Sequence, residues 1–247
     1  MKKIILLRHG QSKWNLENRF TGWKDIGLTS AGEKEAAFAG YQLVNNNVQI
    51  GSVYTSILKR AIETANIVTK IIGFLQTDIQ DDWRLNERHY GALQGLNKSE
   101  TASKYGEDQV HIWRRSFDIP PPLLSNNDPR HPRFNKKFQS IQEDLPVGES
   151  LSDVINRLQP FWEDYMQDIQ KSRKNDLIVA HSNSLRAIVK ILDKLSKDEI
   201  MSVNIPTGVP LVYTLDKNLG VVSKEYLIDK NELKIRQEIV ANQGKKK

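Results

Sequence analysis

The chain is 247 residues long, enough for one large domain with a sizeable core. Apolar residues make up 38% and charged residues 27%, which excludes a disordered chain, and no apolar run approaches the ~20 residues that span a bilayer. The formal charge is +6 and there is no cysteine, so disulfide and thiolate chemistry are excluded; the dispersed positive residues fit a funnel for a small, multiply charged anion better than a nucleic-acid surface.

The first predicted element is a short buried strand. Ile4-Ile5-Leu6-Leu7 is too short for a helix, rich in branched residues, and ends in Arg8-His9-Gly10. Two lysines before four apolar residues do not make a signal peptide, and cytoplasm is the expected compartment. Open α/β sheets bind ligands outside the carboxyl ends of their strands, which is where Arg8 and His9 stand. Neutral imidazole is nucleophilic near pH 7, and a guanidinium can grip a phosphoryl group through a bidentate fork. Gly10 lets the backbone turn or approach a ligand closely. A single histidine after a strand can equally be structural.

Residues Lys13 to Leu28 read as a loop in which Asn15, Thr21 and Gly22 either contact an anion or belong to an ordinary loop anchored by Trp14, Phe20 and Trp23. Ser30-Ala31-Gly32-Glu33 has capping-box spacing and opens a helix to about Asn46. Ser52 to Thr55 is a second strand, and Ser56 is expected to cap a helix running to about Ile72. Arg60, in its first turns, is either solvated or turned to the sheet edge that carries His9. Thr77 to Gln80 is a candidate third strand. From Trp83 to Lys98 the density of charged and polar residues argues against plain core packing. Within that segment Glu87 can exchange a proton with a substrate hydroxyl or pair with Arg84 or Arg88, and His89 reads as structural. Asn97 or Ser99 caps a helix to about Tyr105, and a second helix from Gly106 ends on Arg114-Arg115, which suits a solvated face as well as a basic cluster.

Residues 117–148 are the least regular stretch. Pro120-Pro121-Pro122, Pro129 and Pro132 forbid long helices there, and we read an excursion over the site or at a subunit contact rather than a domain boundary. A long helix follows from Ser150 to about Ser172, with Pro160 as a candidate kink. Asp176 to Ser184 then repeats the opening pattern: an apolar strand, His181, small polar residues, and a helix from about Ser184 to Leu192. Two strands delivering two histidines to one end of a sheet are hard to assign to packing alone. A short helix at Lys197 to Met201 and strands at Leu211 to Leu215 and Gly220 to Tyr226 close the fold; Lys245-Lys246-Lys247 reads as a solvated tail.

Leu7-Arg8-His9-Gly10-Gln11-Ser12, with Trp14-Asn15 and Phe20-Thr21-Gly22-Trp23, resembles the histidine phosphatase superfamily. Leu85-Asn86-Glu87-Arg88-His89-Tyr90-Gly91-Ala92-Leu93-Gln94-Gly95-Leu96-Asn97-Lys98 resembles its cofactor-dependent (2,3-bisphosphoglycerate-dependent) phosphoglycerate mutase branch. The likeness runs on through Ile205 to Tyr213 and Val240 to Lys245, so it covers nearly the whole chain. It implies an α/β fold: one three-layer α/β/α domain over 1–247, with a mostly parallel central sheet flanked by helices on both faces. The irregular excursion at about 117–148 and a flexible C-terminal tail at about 230–247 belong to that domain.

The resemblance also implies the chemistry. The expected reaction interconverts 3-phosphoglycerate and 2-phosphoglycerate, with His9 carrying a phosphoryl group and 2,3-bisphosphoglycerate as the primer that charges it. Glu87 is then the acid–base group, and His181 donates to the transferred group, which Arg8, Arg60 and Asn15 hold. Arg88, Tyr90, Lys98, Arg114 and Arg115 bind the carboxylate and second phosphate, and Ser12, Thr21, Gly22, Ser182 and Asn183 complete the substrate contacts. No metal is expected, because ligand spacing is absent and flanking arginines repel a cation. A homo-oligomer, dimer or tetramer, follows by family analogy, with no nucleic-acid or membrane partner. The alternative is a histidine phosphatase that hands the same group to water. Gln11 stands where many members carry Glu, and Ser182 where the family usually has Gly; a left-handed backbone at Ser182 would cost about 1–2 kcal/mol, whereas contact through its N–H alone changes little.

Overall fold

A computed structural model describes residues 1–75, 78–171 and 174–243. Among the described residues six strands form one sheet: β1 (Lys2–Arg8), β2 (Ile50–Thr55), β3 (Ile79–Asp81), β4 (Asn175–Ala180), β5 (Leu211–Leu215) and β6 (Val221–Tyr226). Their spatial order is β3-β2-β4-β1-β5-β6. The first four lie parallel, and β5 alone runs against the rest, because it pairs antiparallel with both β1 and β6. The sheet is therefore mostly parallel, as expected.

Alternation along the strands builds the layers. Ile4 and Leu6 of β1, with Ile178 and Ala180 of β4, pack under α6 (Leu151–Lys171) and α7 (Ser182–Asp193). Ile5 and Leu7, with Leu177 and Val179, pack under α2 (Ser30–Asn45) and α3 (Lys59–Ile72). Both faces are thus covered, which is the three-layer α/β/α arrangement. The remaining α-helices among the described residues are α1 (Lys13–Leu16), α4 (Lys98–Tyr105), α5 (Glu107–Arg115), α8 (Glu199–Ser202) and α9 (Lys230–Asn242). Among the described residues no helix is long and apolar enough to cross a membrane.

Several boundaries differ from the sequence reading for local reasons. The Thr29 hydroxyl accepts the Gly32 N–H, so α2 is capped one residue before the expected start. A turn of helix, α1, stands inside the expected loop, capped by Ser12 and Asn15. Ser56 does not cap a helix: α3 begins at Lys59 after Leu58, with no side-chain cap, and the Ser56 hydroxyl is turned toward His181. β3 covers Ile79–Asp81, and the expected start at Thr77 lies outside the described residues, as does the expected end of α6 at Ser172. Where the reading placed a flexible tail from about 230, α9 occupies Lys230–Asn242; Lys245 to Lys247 lie outside the described residues.

Candidate active site

Strand register brings the site together. Arg8 pairs with Ala180 and Thr55 with Val179, so His9, Ser56 and His181 leave three adjacent strands at the same end. The His9 N–H extends the ladder by donating to the Ala180 carbonyl at 3.0 Å. Gly10 then passes so close to α2 that an added Cβ would stand 2.1 Å from the Gly32 carbonyl oxygen. Only a residue without a side chain fits there.

His9 is 2% exposed. Its Nδ1 lies 2.7 Å from the Gly10 carbonyl oxygen, and the Arg60 Nε–H donates to its Nε2 at 3.2 Å. These two contacts fix the tautomer: the proton sits on Nδ1 and the lone pair on Nε2. Burial, with the charges of Arg60 and Arg8, holds the ring well below the ordinary histidine range, so it is the neutral form.

The His181 ring lies edge-on to His9, centroids 4.9 Å apart, and its Nε2 is 2.7 Å from the Ser56 Oγ. That oxygen also accepts the Leu58 N–H at 3.2 Å. We assign the Ser56 hydroxyl as donor to Nε2, which leaves the His181 proton on Nδ1, a buried atom with no hydrogen-bond partner among the described residues. Burial and Arg60 push His181 well below the ordinary value as well.

Arg60 is fully buried, donating to the Lys24 and Gly22 carbonyls besides His9, and burial lowers it to about 10. Arg8 donates to the Ile205 carbonyl and keeps an unpartnered Nε. Gly22 takes φ +53°, and a Cβ there would come within 2.9 Å of the Gln94 Oε1. Thr21 lines the same wall with an unpartnered hydroxyl.

Glu87 is held from several sides. Its Oε1 accepts the Arg88 N–H at 2.8 Å, the Asn183 N–H at 3.1 Å and the Asn183 Nδ2 at 2.9 Å. Its own carbonyl takes the Trp23 indole N–H at 2.6 Å and Arg157 at 3.3 Å. Arg157, on α6, also donates to the Arg84 and Asn86 carbonyls and pairs with Glu149 at 2.6 Å, both side chains buried. Glu149 in turn accepts the His89 N–H. His89 is structural, as read: its Nδ1 accepts the Gly91 N–H at 3.0 Å, and burial, helped by His131, lowers it to about 3.

The cavity in front of His9 is lined by Arg8, Asn15, Thr21, Gly22, Arg60, Glu87, Tyr90, Lys98, Arg114, Arg115, Ser182 and Asn183, all named from the sequence. Ser12, Arg88 and His181 lie fully buried behind this wall. Ser12 serves it indirectly: its N–H and hydroxyl both donate to the Asn15 Oδ1, at 3.1 and 3.0 Å. Arg88 sits 4.6 Å over the Tyr90 ring and donates to the Arg114 carbonyl. Ser182 opens α7 without a positive φ, so the Gly-to-Ser departure carries no backbone strain. Gln11 faces away from the cavity, accepting Thr29, while its N–H donates to Glu35. Residues 117–148 do not line the cavity; they brace it, with Phe138 against Trp23 and the Pro122 carbonyl accepting the Ala92 N–H.

Sequence reasoning missed Arg19, Arg186 and Gln243 on the wall, and Ser56 behind it. Ser56 had a signal, since it follows β2 as His9 follows β1. Arg186 sits three residues after Asn183 on one helix face, a weak signal, because helix arginines are ordinarily solvated. Gln243 follows α9, and its Oε1 and carbonyl accept Lys98 and Arg114.

The cavity therefore gathers seven cationic side chains and one carboxylate among the described residues. Burial and mutual repulsion lower Lys98 well below its ordinary value, Arg114 to about 10 and Arg186 to about 9. Burial would raise the Tyr90 phenol, but the Arg88 and Arg114 charges outweigh it and hold the phenol low. A bound polyanion relieves all these costs together.

Comparisons with known proteins give the chain's relatives. A family model described as the histidine phosphatase superfamily (branch 1) matches residues 4–128 and 125–223. The chain is 50% identical over 246 residues to a 2,3-bisphosphoglycerate-dependent phosphoglycerate mutase of Hydrogenobaculum sp. (strain Y04AAS1), covering 99% of this chain and 100% of that one. Among solved structures, mycobacterial glucosyl-3-phosphoglycerate phosphatase superposes with a TM-score of 0.69 at 20% identity, over 93% of this chain and 99% of that one. YhfR of Bacillus stearothermophilus superposes with 0.65 at 24% identity, over 90% and 94%. At such identities the solved structures speak for the fold alone.

Proposed function

The chain belongs to the histidine phosphatase superfamily, and from that premise we infer that it works as a 2,3-bisphosphoglycerate-dependent phosphoglycerate mutase, interconverting 3-phosphoglycerate and 2-phosphoglycerate. The observation that carries the mutase over a phosphatase on the same fold is the 50% identity along 99% of the chain. The cation-rich wall supports a multiply charged substrate, and the unpartnered Arg8 Nε and Thr21 hydroxyl are donors such an anion would satisfy.

2,3-Bisphosphoglycerate supplies the phosphoryl group that charges His9. The neutral His9 attacks phosphorus through Nε2 while Gly10 holds the Nδ1 proton; the bond from phosphorus to the ester oxygen breaks, and that oxygen leaves with the electron pair and takes a proton from the Glu87 carboxyl. Arg60, which donates to that lone pair at rest, turns its N–H to a phosphoryl oxygen as the P–N bond forms. Arg8, Asn15 and the Gly22 backbone hold the remaining oxygens, and the unpartnered His181 Nδ1 is a further donor. On the return transfer Glu87 takes the proton of the substrate hydroxyl; the oxygen attacks phosphorus, the P–N bond breaks, and its electron pair returns to Nε2. Tyr90, Lys98, Arg114 and Arg115 hold the carboxylate and second phosphate, with Arg88 supporting Tyr90. The same cations would repel a metal ion, so the reading is metal-independent. A cytoplasmic enzyme and a homo-oligomer, dimer or tetramer, belong to the same reading.

The test is conversion of 3-phosphoglycerate in EDTA, with and without trace 2,3-bisphosphoglycerate, while free phosphate is followed. Strong activation with little phosphate release is expected. Release without isomerisation would make the chain a phosphatase. His9→Ala should incorporate no phosphate from labelled bisphosphate, and retained labelling would overturn the nucleophile.

A further inference from the structure

Arg186 has no part in the scheme above, yet it is 1% exposed and reaches the cavity wall. Its Nη2 donates to the Ile200 carbonyl at 2.7 Å and its Nη1 to the Asn183 Oδ1 at 3.1 Å. The second bond matters because a primary amide has one accepting end and one donating end. A guanidinium offers only donors, so it takes the oxygen. The Asn183 NH2 is thereby turned the other way, toward the Glu87 Oε1 at 2.9 Å and the Tyr90 hydroxyl at 3.3 Å. The flipped amide would set oxygen against carboxylate and NH2 against guanidinium, two buried repulsions at once.

With the Asn183 and Arg88 backbone N–H groups, three donors meet on the Glu87 Oε1, and Oε2 receives none of them. We propose that Arg186 is a positioning residue for proton transfer: by locking the Asn183 amide it commits Oε1 to its donors and leaves Oε2 of Glu87 as the atom that takes the substrate proton. The inference rests on the mutase reading.

The test separates this from a binding or purely structural role. Transfer between phosphoglycerates needs a proton moved at an alcohol oxygen, whereas 2,4-dinitrophenolate leaves phosphorus without one. For R186M, kcat for 3-phosphoglycerate should fall at least about tenfold, while first-turnover dinitrophenolate release from 2,4-dinitrophenyl phosphate changes less than about threefold. N183A should lower kcat for 3-phosphoglycerate to a similar extent, and R186M should add little in an N183A background. R186K, which keeps a donor for Oδ1, should recover part of the loss. Equal losses on both substrates, a change in KM alone, or losses that multiply in the double variant would overturn the proposal. Should R186M fail to fold, R186K decides by the same split, with a smaller loss of kcat on 3-phosphoglycerate and dinitrophenolate release again changed less than about threefold. A wild-type chain that does not isomerise would instead refute the mutase reading.

Discussion

Glu87 and the buried histidines carry the consequences that belong to single residues. Gln at position 87 keeps an oxygen for the three donors on Oε1 but cannot accept a proton. Glu87→Gln should therefore lower kcat by roughly 10²–10⁴-fold with KM little changed, read by steady-state kinetics; unchanged turnover would refute the acid–base role. Histidines 9, 89 and 181 are all held neutral by burial, His89 down to about 3. In the unfolded chain the same rings take a proton near 6.5. Below that pH the unfolded state binds more protons than the folded one, so stability falls as pH falls, by up to about 1.4 kcal/mol per pH unit for each ring. The window opens near pH 6.5 and, for His89, extends to about 3. Urea midpoints at pH 7.5, 6 and 5 should decline in step, and His89→Asn, which keeps an acceptor for Gly91, should flatten the slope. A midpoint constant across that range would refute the neutral assignment.

Elements show which parts of this site were legible before the structure. The two strand–His units were readable because a buried strand and the histidine at its end are one contiguous string. Ser56 was misread as a cap because its spacing before a helix is locally sufficient, and only the register of β2 against β4 turns its hydroxyl to His181. Arg157 was invisible for a related reason, being a helix arginine whose partners lie on other segments, and Arg186 left only the weak signal of Asn183 on its own helix, its other partner, the Ile200 carbonyl, lying beyond that helix. Arg157 makes the strongest prediction at this scale. It ties α6 to the segment carrying Glu87 through the Arg84, Asn86 and Glu87 carbonyls while neutralising Glu149. Arg157→Met would leave a buried carboxylate and several carbonyls unpaired, and should cost about 3–5 kcal/mol in denaturant unfolding. A loss below about 1 kcal/mol, the range of surface pairs, would show that the network is dispensable.

At the scale of the whole molecule, the +6 charge and the concentration of cations in one cavity act on the approach of substrate. Anionic phosphoglycerates should be steered, so kcat/KM should fall about tenfold or more as ionic strength rises toward 1 M, where the screening length is only about 3 Å. The turnover step itself, enclosed and short-ranged, should change much less; parallel losses in kcat and kcat/KM would argue against steering.

The sheet order has a consequence for how the molecule comes into being. β1, which ends at His9, lies between β4 and β5, so Ile4 waits for Asp176 on one side and Tyr213 on the other. Neither neighbour is synthesised until long after β1. Until then an apolar strand with two bare edges must be kept from other chains, and closure of such distant pairings is intrinsically slow. His9 is thus synthesised well before the strands that surround it, so a nascent chain stalled before β4 should be protease-sensitive and inert.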